Sequence, residues 1–387
     1  MLCKILISKL TTFPVFELFC TPCILKPQPC QRIPKYISGK NQRLLHTDIR
    51  SPQNMQQRLE NKSAYENLLK EDMNNFFSDI RKVMDTEIPL LQKMCHYYFD
   101  STGKSIRPKI VLLTARACNN TSHTRHQSSI SSNCTEKQRK IAMISEMIHT
   151  GSLIHDDVVD VSSIRRGKNT VNDIWGDRNA VLAGNYVLSR ASYLTASIGE
   201  TEIVTLIARI IDDLVRGEFM QIDTNANFDH YLKKTYRKTA SLIANSCKAV
   251  AFLSNCDNNT VEAMYEYGRN IGIAFQLIDD LLDFSQTAEN LGKPAAADLR
   301  LGLATAPVLF ACQKHKFLHD MILRRFKKPG DVERTLDAVR NSDGLEGTHL
   351  LAQQYCMDAK RHLNILVDSE EKDALSSLAD LVLNRKK

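Results

Sequence analysis

One short acidic pattern occurs twice, as Asp156-Asp157-Val158-Val159-Asp160 and as Asp279-Asp280-Leu281-Leu282-Asp283. On a helix, positions i and i+4 share a face with Cβ atoms about 5–6 Å apart, so Asp156 points with Asp160 and Asp279 with Asp283. Two such faces meeting across a bundle repel unless divalent cations lie between them. Oxygen donors suit Mg²⁺, which takes one or two carboxylates together with substrate phosphates. A single copy of the pattern most often marks a solvated acidic face. Here, however, Leu153, Ile154, Val158 and Val159 flank the first copy, and Phe275, Leu277, Ile278, Leu281 and Leu282 flank the second. Carboxylates among apolar residues are costly unless paired or metal-bound, which favours the metal reading.

Clustered bases say what such a metal would serve. Lys104 and Arg107 stand in Gly103-Lys104-Ser105-Ile106-Arg107-Pro108, just before an expected helix. Arg165 and Arg166 follow the first acidic pattern where its helix should end, Lys238-Thr239 lies mid-chain, and Lys293 follows the second pattern in Gly292-Lys293-Pro294. Each alone would be an ordinary surface charge. Beside Mg²⁺ carboxylates they make a diphosphate site, with Arg as bidentate clamp and Lys as point charge.

The order GKxxRP, HxxxxxHDDxxDxxxxRRG, KT, FQxxDDxxD, GKPxxxD over about residues 60–387 resembles that of trans-type polyprenyl diphosphate synthases. Gly217-Glu218-Phe219-Met220-Gln221, the run Lys238 to Ala251 and the run Gly302 to Cys312 look like the long-chain members that make the ubiquinone side chain. The resemblance implies an all-α isoprenoid synthase bundle with a central cavity, condensing isopentenyl diphosphate with an allylic primer (farnesyl or geranylgeranyl diphosphate) to a decaprenyl or nonaprenyl product. It implies that Asp156, Asp160 and Asp279 hold Mg²⁺ on the allylic diphosphate, with Asp283 acting through water. Arg165, Lys238 and Lys293 would grip that diphosphate; Lys104, Arg107, His149 and Arg166 would bind isopentenyl diphosphate. Thr239 and Gln276 would line the allylic site near the forming cation. Ser105-Ile106 departs from the aromatic-containing pair often seen in the first motif, which alters local packing and not the diphosphate contacts. The resemblance further implies a homodimer, or a heterotetramer with a paralogous second subunit, and a peripheral association with the inner membrane.

The chemistry then follows from charge: a stabilised departing diphosphate ionises the allylic C–O bond, the double bond of isopentenyl diphosphate attacks, and a proton leaves. His155 is better suited to packing than to carrying that proton. Gly151 and Ser152, five and four residues before Asp156, are small where the family's short-chain members carry a bulky aromatic. They suggest an open tunnel and a long product, although Gly and Ser also permit close helix packing. The alternatives are a shorter-chain, geranylgeranyl-type synthase, a regulatory subunit of a heteromeric synthase, and an HD-type metal phosphohydrolase read from His155-Asp156. The last leaves the second acidic pattern unexplained.

Helices must carry these groups. Glu136–His155, Asn179–Ile198, Glu202–Met220 and Val261–Phe284 repeat apolar residues three and four apart, and alternating strand patterns are scarce. The reading is one all-α domain over residues 56–387 with two long central helices. Asn119–Thr135 reads as a polar surface loop, and Asp331 as a helix cap after Lys327-Lys328-Pro329-Gly330.

The chain has 387 residues and a formal charge of +7. Residues 1–50 hold eight Lys/Arg against two acids, leaving 43 bases and 42 acids in the other 337 residues. A near-neutral body lacks the basic footprint of a nucleic-acid binder. Residues 1–55 read as a mitochondrial transit peptide and disordered N-terminus, cut around residues 40–55, for a protein of the matrix. The apolar run Leu10–Leu25 is too short and too interrupted to span a membrane. Eleven dispersed cysteines, an odd number, argue against a secreted disulfide framework. Cys20-Thr-Pro-Cys23 is a chance CxxC, and the body's cysteines are small buried residues.

Overall fold

The computed structural model describes residues 66–100, 105–126, 133–165, 167–222, 227–285 and 296–385. Helices follow one another as α1 (Phe76–Val83), α2 (Pro89–His96), α3 (Ile106–His126) and α4 (Glu136–Val159). A two-residue hairpin, β1 (Ile164–Arg165) with β2 (Lys168–Asn169), leads to α5 (Val171–Trp175), α6 (Asp177–Ala196), α7 (Thr201–Ile222) and α8 (Phe228–Thr235). A π-helical turn, Tyr236–Ala240, joins α8 to α9 (Ser241–Leu253), and α10 (Asn258–Ser285) follows. The rest comprises α11 (Ala297–Arg300), α12 (Ala306–Lys314), α13 (Leu318–Leu323), α14 (Asp331–Arg340), α15 (Gly344–His362) and α16 (Glu370–Leu383). All four long helices expected from apolar spacing are present, and the hairpin, pairing Ile164 with Asn169, is the only sheet among the described residues. No described helix is long and apolar enough to cross a membrane.

Helix α4 starts where its sequence says it must. Thr135 accepts from the Gln138 amide at 3.3 Å while the Gln138 side chain accepts from the Thr135 amide at 2.9 Å, a reciprocal capping box. From there α4 runs against α3 and α6, burying Ile141, Ile144, Met147 and Ile148. Helix α10 packs on α9 and α15 and belongs to two cores. One holds Tyr267 and Ile271 with the α3–α4–α6 side chains; the other holds Leu277 and Ile278 with Val308, Leu309, Phe326 and Val339. Both acidic patterns thus sit at the ends of helices fixed by buried faces, not on loops.

Three expectations need correction. Asn119–Thr135 is not a loop throughout: α3 continues to His126, and Asn119 is buried, donating to Asn133 O at 2.9 Å and to Gln138 Oε1 at 3.1 Å. An amide-to-amide pair satisfies the polar group whose presence suggested exposure. Arg107 lies within the first turn of α3 and not before it. Asp331 is not the cap of α14: Gly330, at φ 83°, takes that place, and the Asp331 carboxylate receives both arms of Arg324 at 2.7 and 2.6 Å. The described cysteines are free; most are buried as expected, while Cys134 and Cys256 are half-buried. The expected transit segment lies outside the described residues.

The π turn was not foreseen, and two glycines make room for it. A Cβ on Gly217 of α7 would lie 2.9 Å from Lys238 N, and one on Gly272 of α10 would lie 2.5 Å from Ala240 Cα. Ser241 Oγ donates to Asp213 at 2.6 Å and ties the turn's exit to α7. We expect Gly272→Ala to be overpacked by about 1–3 kcal/mol, because backbone and not a flexible side-chain tip would have to move. Thermal unfolding would show the loss as a drop in midpoint of several degrees; an unchanged midpoint would contradict the close approach.

Candidate active site

A cavity of about 550 Å³ opens between α4, α6, α7, the π turn and α10. Asp156, Arg165, Glu218, Lys238 and Asp279 line its polar end, while Leu153, Leu188, Ile211, Leu214 and Val215 line its apolar end. Such a split suits a molecule with a charged head and a hydrocarbon tail.

The first acidic pattern closes α4. Asp160 is the C-cap, its amide bonded to Asp156 O at 2.8 Å, so the i, i+4 relation holds to the end of the helix. Burial is the main reason the Asp156 carboxyl is pushed up to about 6, and nearby Glu218 and Asp160 push the same way while Lys238 and Arg165 oppose them. Burial also raises Asp160. The charged form of this wall is thus held back by burial, which the nearby Lys238 and Arg165 offset only in part.

In each pattern the middle aspartate turns inward. Asp157, 1 % exposed, accepts from Arg165 Nε at 2.7 Å and from Tyr98 OH at 3.0 Å. Asp280, 2 % exposed, accepts from Tyr231 OH at 2.6 Å, Gln276 Nε2 at 2.9 Å and the Ala306 amide at 3.1 Å. These two are fixtures. Asp283 accepts from the amides of Ala297 and Asp298 at 3.1 and 3.3 Å, at the start of α11. The Asp156 and Asp160 carboxylates of α4 and the Asp279 carboxylate of α10 are left as the candidate ligands.

Among the described residues, no three acidic, His or Cys side chains gather closely enough to cage an ion by themselves. Carboxylates divided between two walls of one cavity, one of them with a raised pKa, still fit Mg²⁺, which uses few protein ligands and completes its shell with water and phosphate.

The bases divide. Lys238, set by the π turn, donates to Glu218 Oε2 at 2.6 Å and to Gln221 Oε1 at 2.9 Å. Thr239 Oγ1 donates to Gln276 Oε1 at 2.8 Å, and because the Gln276 amide nitrogen is held by Asp280, its oxygen is fixed toward the cavity side. Arg165, on β1, lines the cavity while its Nε holds Asp157. Across from these, Arg107 Nη1 meets His149 Nε2 at 2.9 Å, and the guanidinium lies 5.7 Å from the Phe275 ring centre. Lys104, Arg166 and Lys293 lie outside the described residues.

His155 is turned toward α6, its Nε2 3.3 Å from Val181 O and its ring over Gly184, where a Cβ would come within 2.4 Å. That is a packing role, as the sequence suggested. Gly151 and Ser152 prove to do different things. A Cβ at Gly151 would press on Leu188 at 3.1 Å, so its smallness serves helix packing, whereas Ser152 lines the cavity. Leu188 itself lines the cavity, so Gly151 borders it through that side chain.

Sequence reasoning missed four residues of the site. Glu218 and Gln221 are spaced i, i+3 on α7, a signal that could have paired them with a base. Tyr231 gives no local cue. Arg385, in a terminal Asn-Arg-Lys-Lys run that reads as solvated tail, donates to Asp279 Oδ1 at 2.6 Å.

Comparison with known proteins accords with this geometry. Residues 88–339 match the family described as Polyprenyl synthetase. The human all-trans-polyprenyl-diphosphate synthase PDSS1 is 52% identical over 321 residues, covering 82% of this chain and 76% of the human protein. The decaprenyl-diphosphate synthase subunit 1 of Schizosaccharomyces pombe is 40% identical over 344 residues, covering 83% and 91%. A crystal structure of a polyprenyl synthase from Caulobacter crescentus, complexed with calcium and isoprenyl diphosphate, superposes with a TM-score of 0.74 at 31% identity, covering 84% of this chain and 98% of that one. By its family match and its relatives, the chain belongs to the polyprenyl synthetase family of prenyltransferases.

Proposed function

We propose that this chain is a long-chain trans-polyprenyl diphosphate synthase of the mitochondrial matrix, adding isopentenyl diphosphate repeatedly to an allylic primer to build the decaprenyl or nonaprenyl side chain of ubiquinone. The single observation that carries the reading is that Asp156 of α4 and Asp279 of α10 line one cavity together with Leu153, Leu188, Ile211 and Leu214. The basic, acid-poor N-terminus and the names of the relatives support the compartment and the product class.

Asp156, Asp160 and Asp279 would hold Mg²⁺, with Asp283 acting through water. When bound, the metal supplies neutralisation of the leaving diphosphate. Lys238 and Arg165, with Lys293, orient that diphosphate by direct charge. Arg107 and His149, with Lys104 and Arg166, seat isopentenyl diphosphate. Nδ1 would carry the His149 proton, since Nε2 accepts from Arg107. Thr239 and Gln276 present fixed oxygens where positive charge develops on the allyl group, so no reorganisation is needed as the bond breaks. The departing diphosphate is the natural base for the final proton. Assembly as a homodimer, or as a heterotetramer with a paralogous subunit, and a peripheral contact with the inner membrane complete the proposal.

The test supplies the purified chain with Mg²⁺, labelled isopentenyl diphosphate and farnesyl diphosphate, with and without a paralogous subunit, and sizes the products by chromatography. Long polyprenyl products are expected. Activity only in the mixture makes the heteromer obligatory. A folded, Mg²⁺-binding protein that elongates nothing in either arm overturns the reading.

A further inference from the structure

Arg385 stands two residues beyond the end of α16, yet its guanidinium reaches the metal wall. It donates to Asp279 Oδ1 at 2.6 Å and lies 4.5 Å from the centre of the Phe275 ring. Phe275 and Asp279 are i and i+4 on α10, so one planar group bridges a ring face and a carboxylate on adjacent turns. The arm that delivers it is firm: Leu375, Leu378, Ala379 and Val382 are buried, and Tyr267 OH donates to Leu375 O at 2.9 Å. Exposure of the pair remains substantial, 23 % for Arg385 and 35 % for Asp279, so the guanidinium can swing out by side-chain rotation without undocking the helix.

The other acidic residues near this wall are held by different donors. Asp280 is locked by Tyr231 and Gln276, and Asp283 by backbone amides. We propose that Arg385 is a resident counter-ion for Asp279, holding the carboxylate until a divalent cation takes its place, so that metal loading at α10 is an exchange of cations. The inference rests on the reading of Asp279 as a metal ligand. A planar guanidinium suits the task because it pairs with the carboxylate while already lying against the Phe275 ring, a contact that can keep it close once a metal ion has taken its place.

Direct Mn²⁺ titration of the full, substrate-free chain, read by the electron spin resonance of free Mn²⁺, separates the outcomes. Arg385→Gln should bind the ion about two- to fivefold more tightly than wild type, the range expected for removing a competing, partly exposed ion pair. Arg385→Lys should fall between them, and it keeps the test alive if the Gln variant unfolds. In an Asp279→Asn background the Arg385→Gln gain should vanish. An Arg385→Gln affinity equal to wild type overturns the proposal, and so does an equal gain in the Asp279→Asn background, which would be a general field effect. If wild type binds no Mn²⁺ with or without added diphosphate, the metal reading of the site itself fails, and the inference with it.

Discussion

Asp156→Asn is expected to lower turnover at least about 10²- to 10³-fold while making the metal-free protein more stable at neutral pH. Loss of one preorganised charge contact to a leaving group has a cost of this order. The stability gain comes from the raised carboxyl. In the metal-free fold Asp156 is pushed up to about 6, chiefly by burial, from an ordinary value of 3.8. Between about pH 4 and 6 the folded chain therefore keeps a proton that the unfolded chain has lost. Stability falls as pH rises through that window, and above it the full penalty of the buried charge is present. Asparagine removes that penalty. Because Asp156 is half-buried and solvent screens part of the effect, about 1 kcal/mol is expected, or about 2–4 °C in midpoint. Thermal melts of both proteins at pH 7.5, 6 and 4 should show the gap closing toward acid. Wild-type Mn²⁺ binding should weaken below about pH 6 as the proton competes. A gap that does not change with pH would remove the electrostatic account.

Ser152→Phe should shorten the product by several isoprene units. The side chain of Ser152 lines the cavity beside Leu188 and Leu214, and its hydroxyl bonds only its own helix, at His149 O, 2.8 Å. A phenyl ring there would stand across the apolar end while leaving Asp156, one turn away, in place. Phe219 lines the same cavity and is 70 % exposed, so the cavity is open to solvent beside α7. Gly151→Ala is the instructive contrast. Its added methyl meets Leu188, a side chain of the cavity wall, and not open space, so it should cost stability and alter length less than the phenyl ring does. Product sizing by reversed-phase chromatography decides; an unchanged length distribution in Ser152→Phe would place the tail elsewhere.

How much of this could be read from the chain depended on how local the signal was. Both acidic patterns lie on helices whose apolar spacing is visible within twenty residues, so their elements and facing carboxylates were legible. The division of labour inside each pattern was not. Nothing near Asp157 or Asp280 announces that Tyr98, 59 positions away, or Tyr231, 49 away, will hold the middle carboxylate. Arg385 was hidden for the same reason, being 106 positions from Asp279. The segment from Asn119 misled through composition: polar residues suggest a loop, yet Asn119 and Gln138 satisfy one another inside the core. Gly151 abuts a side chain of the cavity wall, Leu188, from 37 positions away, which no local pattern announces.

The π turn at Tyr236–Ala240 acts as a phase adjuster between two helices. A turn closed by i→i+5 bonds holds about one residue more than the 3.6 of a regular turn, so it absorbs an extra residue while α8 and α9 keep their phase. Tyr231 of α8 thereby stays on Asp280, while Lys238 and Thr239, inside the widened turn, are set on Glu218 and Gln276. A chain one residue shorter here would close to a regular turn and keep the Tyr231–Asp280 clasp, while Lys238 and Thr239 would lose the widened backbone that places them. Single-residue deletions in this stretch are thus expected to displace those two side chains while sparing the helices on either side.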